Sequence, residues 1–159
     1  MSHEYTYDIS MFRDTFETRF TYLNGFLRNV SRFGSRPALF DPRSGRRWTY
    51  RELNAEANRL AHALRADGVG KNDVVMFTLL NSPEFVFCYL AAHKIGAVAC
   101  PVNYRQGAGE IALVIDDSTP KAFIYDAEFG ELSGGALDLC ESKPAIKIVV
   151  GADDAVPAG

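Results

Sequence analysis

The sequence has few of the residues that build disulfide frameworks and metal centres. Only three cysteines and three histidines occur among its 159 residues. The cysteines, Cys88, Cys100 and Cys140, are far apart and lie in apolar or helical surroundings. Disulfide scaffolds and zinc sites both need cysteines or histidines at short, recurring spacings. We therefore predict free thiols, no metal site and no catalytic residue of these types.

The sequence also lacks a basic stripe and a long apolar run. It has 17 lysines and arginines against 20 acidic residues, a formal charge of -3, and no segment concentrates the positive charge that phosphate backbones attract. Its longest apolar run, residues 85–92, is far shorter than the ~20 residues of a membrane span. Residues 1–5 lack the basic and apolar pattern of a signal peptide. We expect no nucleic-acid partner, no transmembrane segment and a cytoplasmic location.

What remains is the composition of an ordinary globular domain. Apolar residues make up 47% of the chain and charged residues 23%, and a chain of this length corresponds to about one domain. The patterns divide it into an N-terminal helical segment (residues 1–34), an incomplete α/β subdomain (35–150) and a loose tail (151–159).

The N-terminal segment has one apolar helical face. Between residues 9 and 33 apolar side chains recur every three or four positions, as in a helix that buries one side; they are Phe12, Phe16, Phe20, Leu23, Leu27 and Val30. Gly25 is a candidate interruption. Charges of both signs accompany this face, whereas a helix on a membrane surface favours lysine and arginine. We therefore favour packing against a core.

The rest of the chain alternates between strand and helix patterns. A hairpin is predicted around residues 41–45, and Thr49 and Glu52 form a capping-box pattern that begins a helix ending at Gly68. Helices are also predicted from Pro83, with Ser82 as cap, and over residues 110–116. Nearly continuous apolar strands, typical of parallel sheets buried on both faces, are predicted at 74–80, 97–102, 121–125 and 146–150. The fold class is therefore α/β, with a mainly parallel sheet flanked by helices.

Several polar motifs are weak. Residues 68–72 have a glycine pair before a lysine but lack the hydroxyl residue of a Walker loop, so we predict a helix stop and a turn. Residues 132–135, Leu-Ser-Gly-Gly, are similar to the signature loop of transporter ATPases, but no Walker partner accompanies them, and we predict a simple loop. Asp116, Asp117 and Asp126 are predicted to be solvent-facing caps, and the three histidines to be structural.

Several segments together resemble the N-terminal part of adenylate-forming enzymes, the AMP-dependent synthetases and ligases that include acyl-CoA synthetases. The resemblance begins at residues 48–54, Trp-Thr-Tyr-Arg-Glu-Leu-Asn, and ends near Asp126. Within the family the chain looks most like fatty-acyl and aryl-CoA ligases. The other matching segments are 58–64, 68–69, 73–75, 81–85, 96–98 and 101–105.

This resemblance implies a ligase that joins a carboxylic acid to ATP with the help of Mg²⁺ and passes the acyl group to a thiol such as that of coenzyme A. The family's phosphate loop, its aromatic-Thr-Glu segment, its ribose-binding aspartate and its C-terminal lysine have no counterpart in this sequence. We therefore expect an inactive N-terminal fragment that binds no cofactor. Its expected partners are the remainder of its own polypeptide and, in the parent enzyme, a small carboxylic acid. An uncovered apolar face is expected to cause self-association.

Asn103 and Arg105 are the candidate site residues. They follow the predicted strand 97–102, and ligands of open α/β sheets bind beyond the carboxyl ends of the strands. They are predicted to border a substrate or coenzyme channel; the alternative is that they only fix a loop through hydrogen bonds.

Two other functions stay open at this point. One is a non-catalytic α/β binding or regulatory module, and the other is the start of a different adenylate-forming enzyme, such as an aryl-CoA ligase or a peptide-synthetase adenylation domain. The coding sequence after Gly159 distinguishes the module from the ligases, because only a ligase continues into a Ser/Thr/Gly-rich loop that ends in lysine.

Overall fold

The computed structural model describes residues 8–151. The helices are α1 (Ile9–Phe12), a π-helix (Arg13–Arg19), α2 (Tyr22–Phe33), α3 (Tyr50–Ala66), α4 (Pro83–Ile95), α5 (Ala108–Ser118), a 3₁₀ turn (Ala127–Phe129) and α6 (Gly130–Leu139). The strands are β1 (Pro37–Phe40), β2 (Arg47–Thr49), β3 (Val74–Thr78), β4 (Val98–Pro101), β5 (Ala122–Asp126) and β6 (Ile146–Val150). Strands β3 to β6 form a parallel sheet in the order β4-β3-β5-β6, and β1 and β2 form a separate antiparallel hairpin. The predicted α/β fold class is confirmed.

Helices cover both faces of the parallel sheet. Val75 and Phe77 of β3 belong to the apolar cluster that includes helices α3 and α4, whereas Met76 belongs to the cluster that includes α5 and α6. Alternate residues of a strand point to opposite faces, so β3 is enclosed from both sides. This double burial explains why its sequence is continuously apolar.

A third layer lies outside α3 and α4. Phe26 of α2 and Trp48 of β2 pack with Leu53 of α3 and Leu90 of α4 in one buried cluster. Helix α4 therefore contacts the sheet on one side and α2 with the hairpin on the other, as its nearly uniform apolar composition predicts.

The predicted helix boundaries are present at α3 and α4. The backbone N–H of Thr49 donates to Glu52 Oε2 at 2.8 Å, and the backbone N–H of Glu52 donates to Thr49 Oγ1 at 3.2 Å, which completes the capping box. Gly68 follows α3 with a φ of 86°. The backbone N–H of Phe85 donates to Ser82 Oγ at 3.4 Å, and Pro83 occupies the first turn of α4.

The prediction of one continuous apolar helical face between residues 9 and 33 is wrong for the first half of this segment. The helix breaks at Phe20 and Thr21, because Thr21 Oγ1 accepts the backbone N–H of Asn24 and begins a new helix, α2. Gly25 lies inside α2 and interrupts nothing. Only α2 packs on the core. Residues 9–20 are exposed, Met11 to 71% and Phe16 to 51%, so the packing hypothesis does not hold for this segment.

The prediction of a loop at residues 132–135 is also wrong. These residues lie in α6. Glycine disfavours helices, but Gly135 lets α5 approach closely, since a Cβ there would lie 3.4 Å from that of Ala108. Ala136 is fully buried next to it. Tertiary packing outweighs the local propensity. Helix α5, predicted over 110–116, is longer and spans Ala108–Ser118.

The turn between α3 and β3 is held by one carboxylate. Asp73 Oδ2 accepts the backbone N–H of Gly70 at 2.8 Å and the Nζ of Lys121 at 3.1 Å. Lys121 Nζ also donates to the carbonyl oxygen of Gly68 at 2.6 Å. Residues 68–72 are thus a helix stop and a turn, as predicted, and the network ties this turn to the start of β5.

We expect Asp73→Asn to lower the urea midpoint of unfolding at neutral pH. The Gly70 N–H and then Lys121 hold the pKa of Asp73 below its ordinary value of 3.8. The carboxylate therefore stabilises the fold above pH 3.8, and this contribution is lost as pH falls through the lower pKa of the folded state. When the pH is lowered from neutral to below 3.8, the urea midpoint of Asp73→Asn should fall less than that of the unchanged chain. Asp67→Asn, a substitution of an exposed neighbour, is the matched control and should leave the urea midpoint at neutral pH nearly unchanged.

Substitutions at two adjacent glycines of α6 should have opposite effects. A Cβ at Gly134 meets no atom within 4 Å, so Gly134→Ala should stabilise the chain by about 0.5–1 kcal/mol through helix propensity. Gly135→Leu should destabilise it because the side chain would separate α5 from α6. Thermal unfolding measures both. A destabilised Gly134→Ala variant would contradict the open surroundings of that position.

Candidate functional site

The carboxyl ends of the four parallel strands form the candidate site. The chain leaves β3 through α4 on one face of the sheet to reach β4, and it leaves β5 through α6 on the other face to reach β6. Strands β3 and β5 are neighbours, and the loops that follow them therefore turn to opposite faces of the sheet. In open α/β sheets ligands bind in the crevice that such a reversal of strand order creates.

An aromatic pair bridges this edge of the sheet. The rings of Tyr104, after β4, and Phe129, after β5, are stacked with centroids 4.9 Å apart and planes 9° apart. Strands β4 and β5 lie on opposite sides of β3, so the pair joins the loops on either side of its carboxyl end. No motif in the sequence marks Phe129 as a site residue. The only available signal was an aromatic residue shortly after a predicted strand.

The two predicted site residues lie in the Tyr104 loop. Asn103 Oδ1 accepts the backbone N–H of Arg105 at 3.0 Å, so Asn103 does hold the loop, as the alternative interpretation proposed. Arg105 is exposed, and its guanidinium carbon lies 5.6 Å from the ring centroid of Tyr104. Its cation is not engaged in an ion pair with any residue between 8 and 151. A contact of either residue with a ligand stays a prediction.

Two buried hydroxyls lie on the α5–α6 side of the sheet. Thr78, at the carboxyl end of β3, and Ser133, in α6, are fully buried, and neither hydroxyl has a hydrogen-bond partner among the described residues. An unsatisfied buried hydroxyl costs about 1–3 kcal/mol and is uncommon in folded proteins. Thr78 is the last residue of β3 and therefore lies at the carboxyl end of that strand. Neither hydroxyl was identified from the sequence.

The described residues do not fit a metal–nucleotide complex. No group of three or more histidine, cysteine, aspartate or glutamate side chains within residues 8–151 could hold a metal ion. Asp126 accepts the backbone N–H of Glu128 as a cap, as predicted. Asp116 instead accepts the backbone N–H of Ser142 at 2.7 Å, so its predicted solvent-facing role is wrong. No loop here supplies the glycine, hydroxyl and lysine groups that cradle phosphates.

The remaining nucleophiles and bases of this region are structural. Burial raises the pKa of the Cys88 thiol to about 12, so its reactive thiolate form is scarce at neutral pH. Burial lowers the pKa of His93, whose ring packs at 4.6 Å from that of Tyr89. The thiols of Cys88, Cys100 and Cys140 are free, as predicted. The arrangement at the carboxyl edge therefore supplies a shaped surface.

Tyr104→Ala should loosen the loop after β4. Stacking covers one face of each half-buried ring and fixes the loop against the 3₁₀ turn. We expect faster amide hydrogen exchange in residues 103–107, with no change in β3. Tyr104→Phe keeps the stacking and should exchange at the original rate. Equal protection in Tyr104→Ala would mean that Asn103 alone holds the loop.

Comparison with known proteins identifies the family. The sequence model described as AMP-binding enzyme matches residues 26–158. The chain is 44% identical over 107 residues to a 3-hydroxybenzoate/4-hydroxybenzoate–CoA ligase of Thauera aromatica, which covers 67% of this chain and 20% of the relative. It is 42% identical over 90 residues to the long-chain-fatty-acid–CoA ligase FadD13 of Mycobacterium tuberculosis, covering 57% of this chain and 18% of the relative. The chain thus spans about a fifth of the length of these curated relatives.

Solved structures agree with the sequence match. A fatty acyl CoA synthetase of Mycobacterium tuberculosis superposes with a TM-score of 0.74 at 32% identity, over 82% of this chain and 27% of that one. The anthranilate CoA ligase AuaEII, solved with anthranoyl-AMP, superposes with a TM-score of 0.75 at 26% identity, over 82% of this chain and 25% of that one. The family match, which extends over most of the sequence, and these superpositions show that the protein belongs to the AMP-binding enzymes.

Proposed function

We propose that the chain is the N-terminal part of an acid–thiol ligase. The parent enzyme would join a carboxylic acid to ATP, release pyrophosphate and transfer the acyl group from the adenylate to coenzyme A. The observation that carries this proposal is the continuous match to CoA ligases, 44% identity over 107 residues with one of them. Mg²⁺ and cationic side chains would supply the charge stabilisation that attack on a phosphate requires.

The described residues would contribute position and shape to this reaction. Strands β3 to β6 set the edge of the sheet, and the stacked Tyr104 and Phe129 fix the loops there. No group of three or more histidine, cysteine, aspartate or glutamate side chains in residues 8–151 could hold a metal ion, so the ligands of Mg²⁺ would have to come from the rest of the parent enzyme. We assign no chemical step to this chain.

Arg105 is our candidate for the border of a substrate or coenzyme channel. It is an exposed cation at the carboxyl edge and has no ion pair among residues 8–151. Carboxylates and phosphates match the planar fork of a guanidinium. Asn103 would act indirectly, because its side-chain oxygen shapes the turn that presents Arg105.

A chimera tests the proposed function. The matched segment of this chain would replace its counterpart in the Thauera aromatica ligase, and thioester formation would be measured with hydroxybenzoates and with fatty acids. We expect a folded chimera that retains activity, with a loss no greater than about 100-fold from small misplacements. A chimera that unfolds cooperatively but forms no thioester with any acid would contradict the proposal.

The same chimera tests Arg105. Arg105→Gln should raise the KM for the acid or for coenzyme A with little change in kcat, since the cation is proposed to bind and not to react. Arg43→Gln, in the exposed hairpin turn, is the matched control and should change neither constant. If Arg105→Gln changes neither KM nor kcat, Arg105 has a role only in the structure of its loop and does not bind a ligand.

The isolated 159-residue chain should neither bind Mg-ATP nor form an acyl adenylate. It has no loop that cradles phosphates, and its described residues hold no carboxylate cluster for Mg²⁺. Titration calorimetry with Mg-ATP and a pyrophosphate-release assay over several acids measure this. Saturable micromolar ATP binding, or turnover that copurifies with the chain, would contradict the expectation.

We also propose self-association and a cytoplasmic location for the isolated chain. Strand β6 is an edge of the sheet, and Val149 on it is exposed; open apolar edges favour pairing between chains. The free cysteines agree with a reducing compartment. None of the helices within residues 8–151 has the length and hydropathy needed to cross a membrane. Sedimentation as a strict monomer at high concentration would contradict the self-association.

A further inference from the structure

A second cleft lies on the opposite side of the α3–α4 layer from the sheet. It has a volume of about 770 Å³ and is enclosed by α2, β1, α3 and α4. Its apolar floor includes Phe26, Leu53 and Leu90, which are buried in the outer cluster. The volume is in the range of about 300–1,000 Å³ that is usual for small-molecule sites.

The polar groups of this cleft have one sign of charge. Arg28 and Arg32, four residues apart on α2, line it together with Asn29, and no described lining residue is acidic. Neither arginine forms an ion pair within residues 8–151. The Arg28 guanidinium carbon lies 5.8 Å from the ring centroid of Phe20, and that of Arg32 lies 5.5 Å from that of Phe33. These ring contacts leave the N–H donors free for an anion.

A glycine keeps the cleft open. Gly25 lines it from within α2, and a Cβ built there meets no atom within 4 Å. Glycine inside a helix costs about 0.5–1 kcal/mol relative to alanine. A larger residue would therefore stabilise the helix and occupy the cleft.

We propose that this cleft binds a small amphiphile with an anionic head and an apolar body. Arg28 and Arg32 would take the head, a carboxylate or a phosphate, because guanidinium donors match both geometrically. The apolar body would lie on the floor formed by Phe26, Leu53 and Leu90. A neutral or cationic amphiphile would leave the two positive charges without a counterpart. Binding here does not depend on the proposed ligase reaction, which belongs to the carboxyl edge of the sheet.

The test uses three probes with the same ten-carbon tail, each below its micellar concentration: decanoate, decyl phosphate and decyltrimethylammonium. Titration calorimetry on the 159-residue chain measures affinity and stoichiometry. Trp48, the sole tryptophan, is 4% exposed and packs in the floor cluster, so its fluorescence reports occupancy independently. We expect saturable one-to-one binding of at least one anion and none of the cation. Comparing the affinity for decanoate with that for decyl phosphate distinguishes a free acid from a phosphate lipid as the natural source of the ligand.

Two variants locate the binding. Gly25→Leu should abolish it while unfolding no more easily than the unchanged chain, because its side chain enters open space. The double variant Arg28→Gln and Arg32→Gln should weaken it by about tenfold or more, as expected for the loss of charge-assisted hydrogen bonds. The controls are Gly109→Leu, a glycine of α5 with equally open surroundings, and the pair Arg43→Gln and Arg65→Gln. Both controls should bind like the unchanged chain.

Three results would overturn the proposal. The first is equal binding of the cationic and anionic probes, which would indicate non-specific apolar adsorption. The second is unchanged binding in Gly25→Leu, which would place the ligand elsewhere. The third is binding to anionic lipid vesicles without binding of any monomeric probe, which would indicate a membrane-binding surface and not a cleft.

Discussion

The burial of strand β3 from both sides is the constraint on which the rest of the structure depends. Its residues Val75, Met76 and Phe77 are fully buried, and each face of the strand needs its own layer of helices. Helices supply those layers: α3 and the crossover helix α4 on one face, and the crossover helices α5 and α6 on the other. Parallel strands have no alternative, because each connection must return along the sheet and crosses it as a helix.

This constraint also places the candidate site. The connection from β3 to β4 and the connection from β5 to β6 leave the carboxyl edge on opposite faces of the sheet, and their loops open a crevice. The edge is fixed by the stacking of Tyr104 on Phe129 and by the hydrogen bond of Asn103 within its loop, whereas Arg105 is exposed there.

The outer layer has a different physical basis. Helix α2 and the hairpin cover α3 and α4 through a few large side chains, Phe26, Trp48 and Leu53 among them. Because the contact is limited, an open cleft remains between the layers, and the arginines that line it on α2 form no ion pair within residues 8–151. The sheet core and the outer cleft are thus separate environments: one dry and closed, the other open, apolar at its floor and positively charged at its wall.

Local chemistry determined the elements whose signals lie within a few residues. The capping box at Thr49, the cap and proline at Ser82 and Pro83, and the apolar strands follow from side-chain identity alone. Other features needed the tertiary structure. Helix α6 forms despite its two glycines, with α5 packed close to Gly135. The segment before Thr21 stays exposed although its pattern is amphipathic. Tyr104 meets Phe129 across 25 positions of the sequence. A sequence pattern shows which face of a helix is apolar, but only the folded chain decides whether another element covers it.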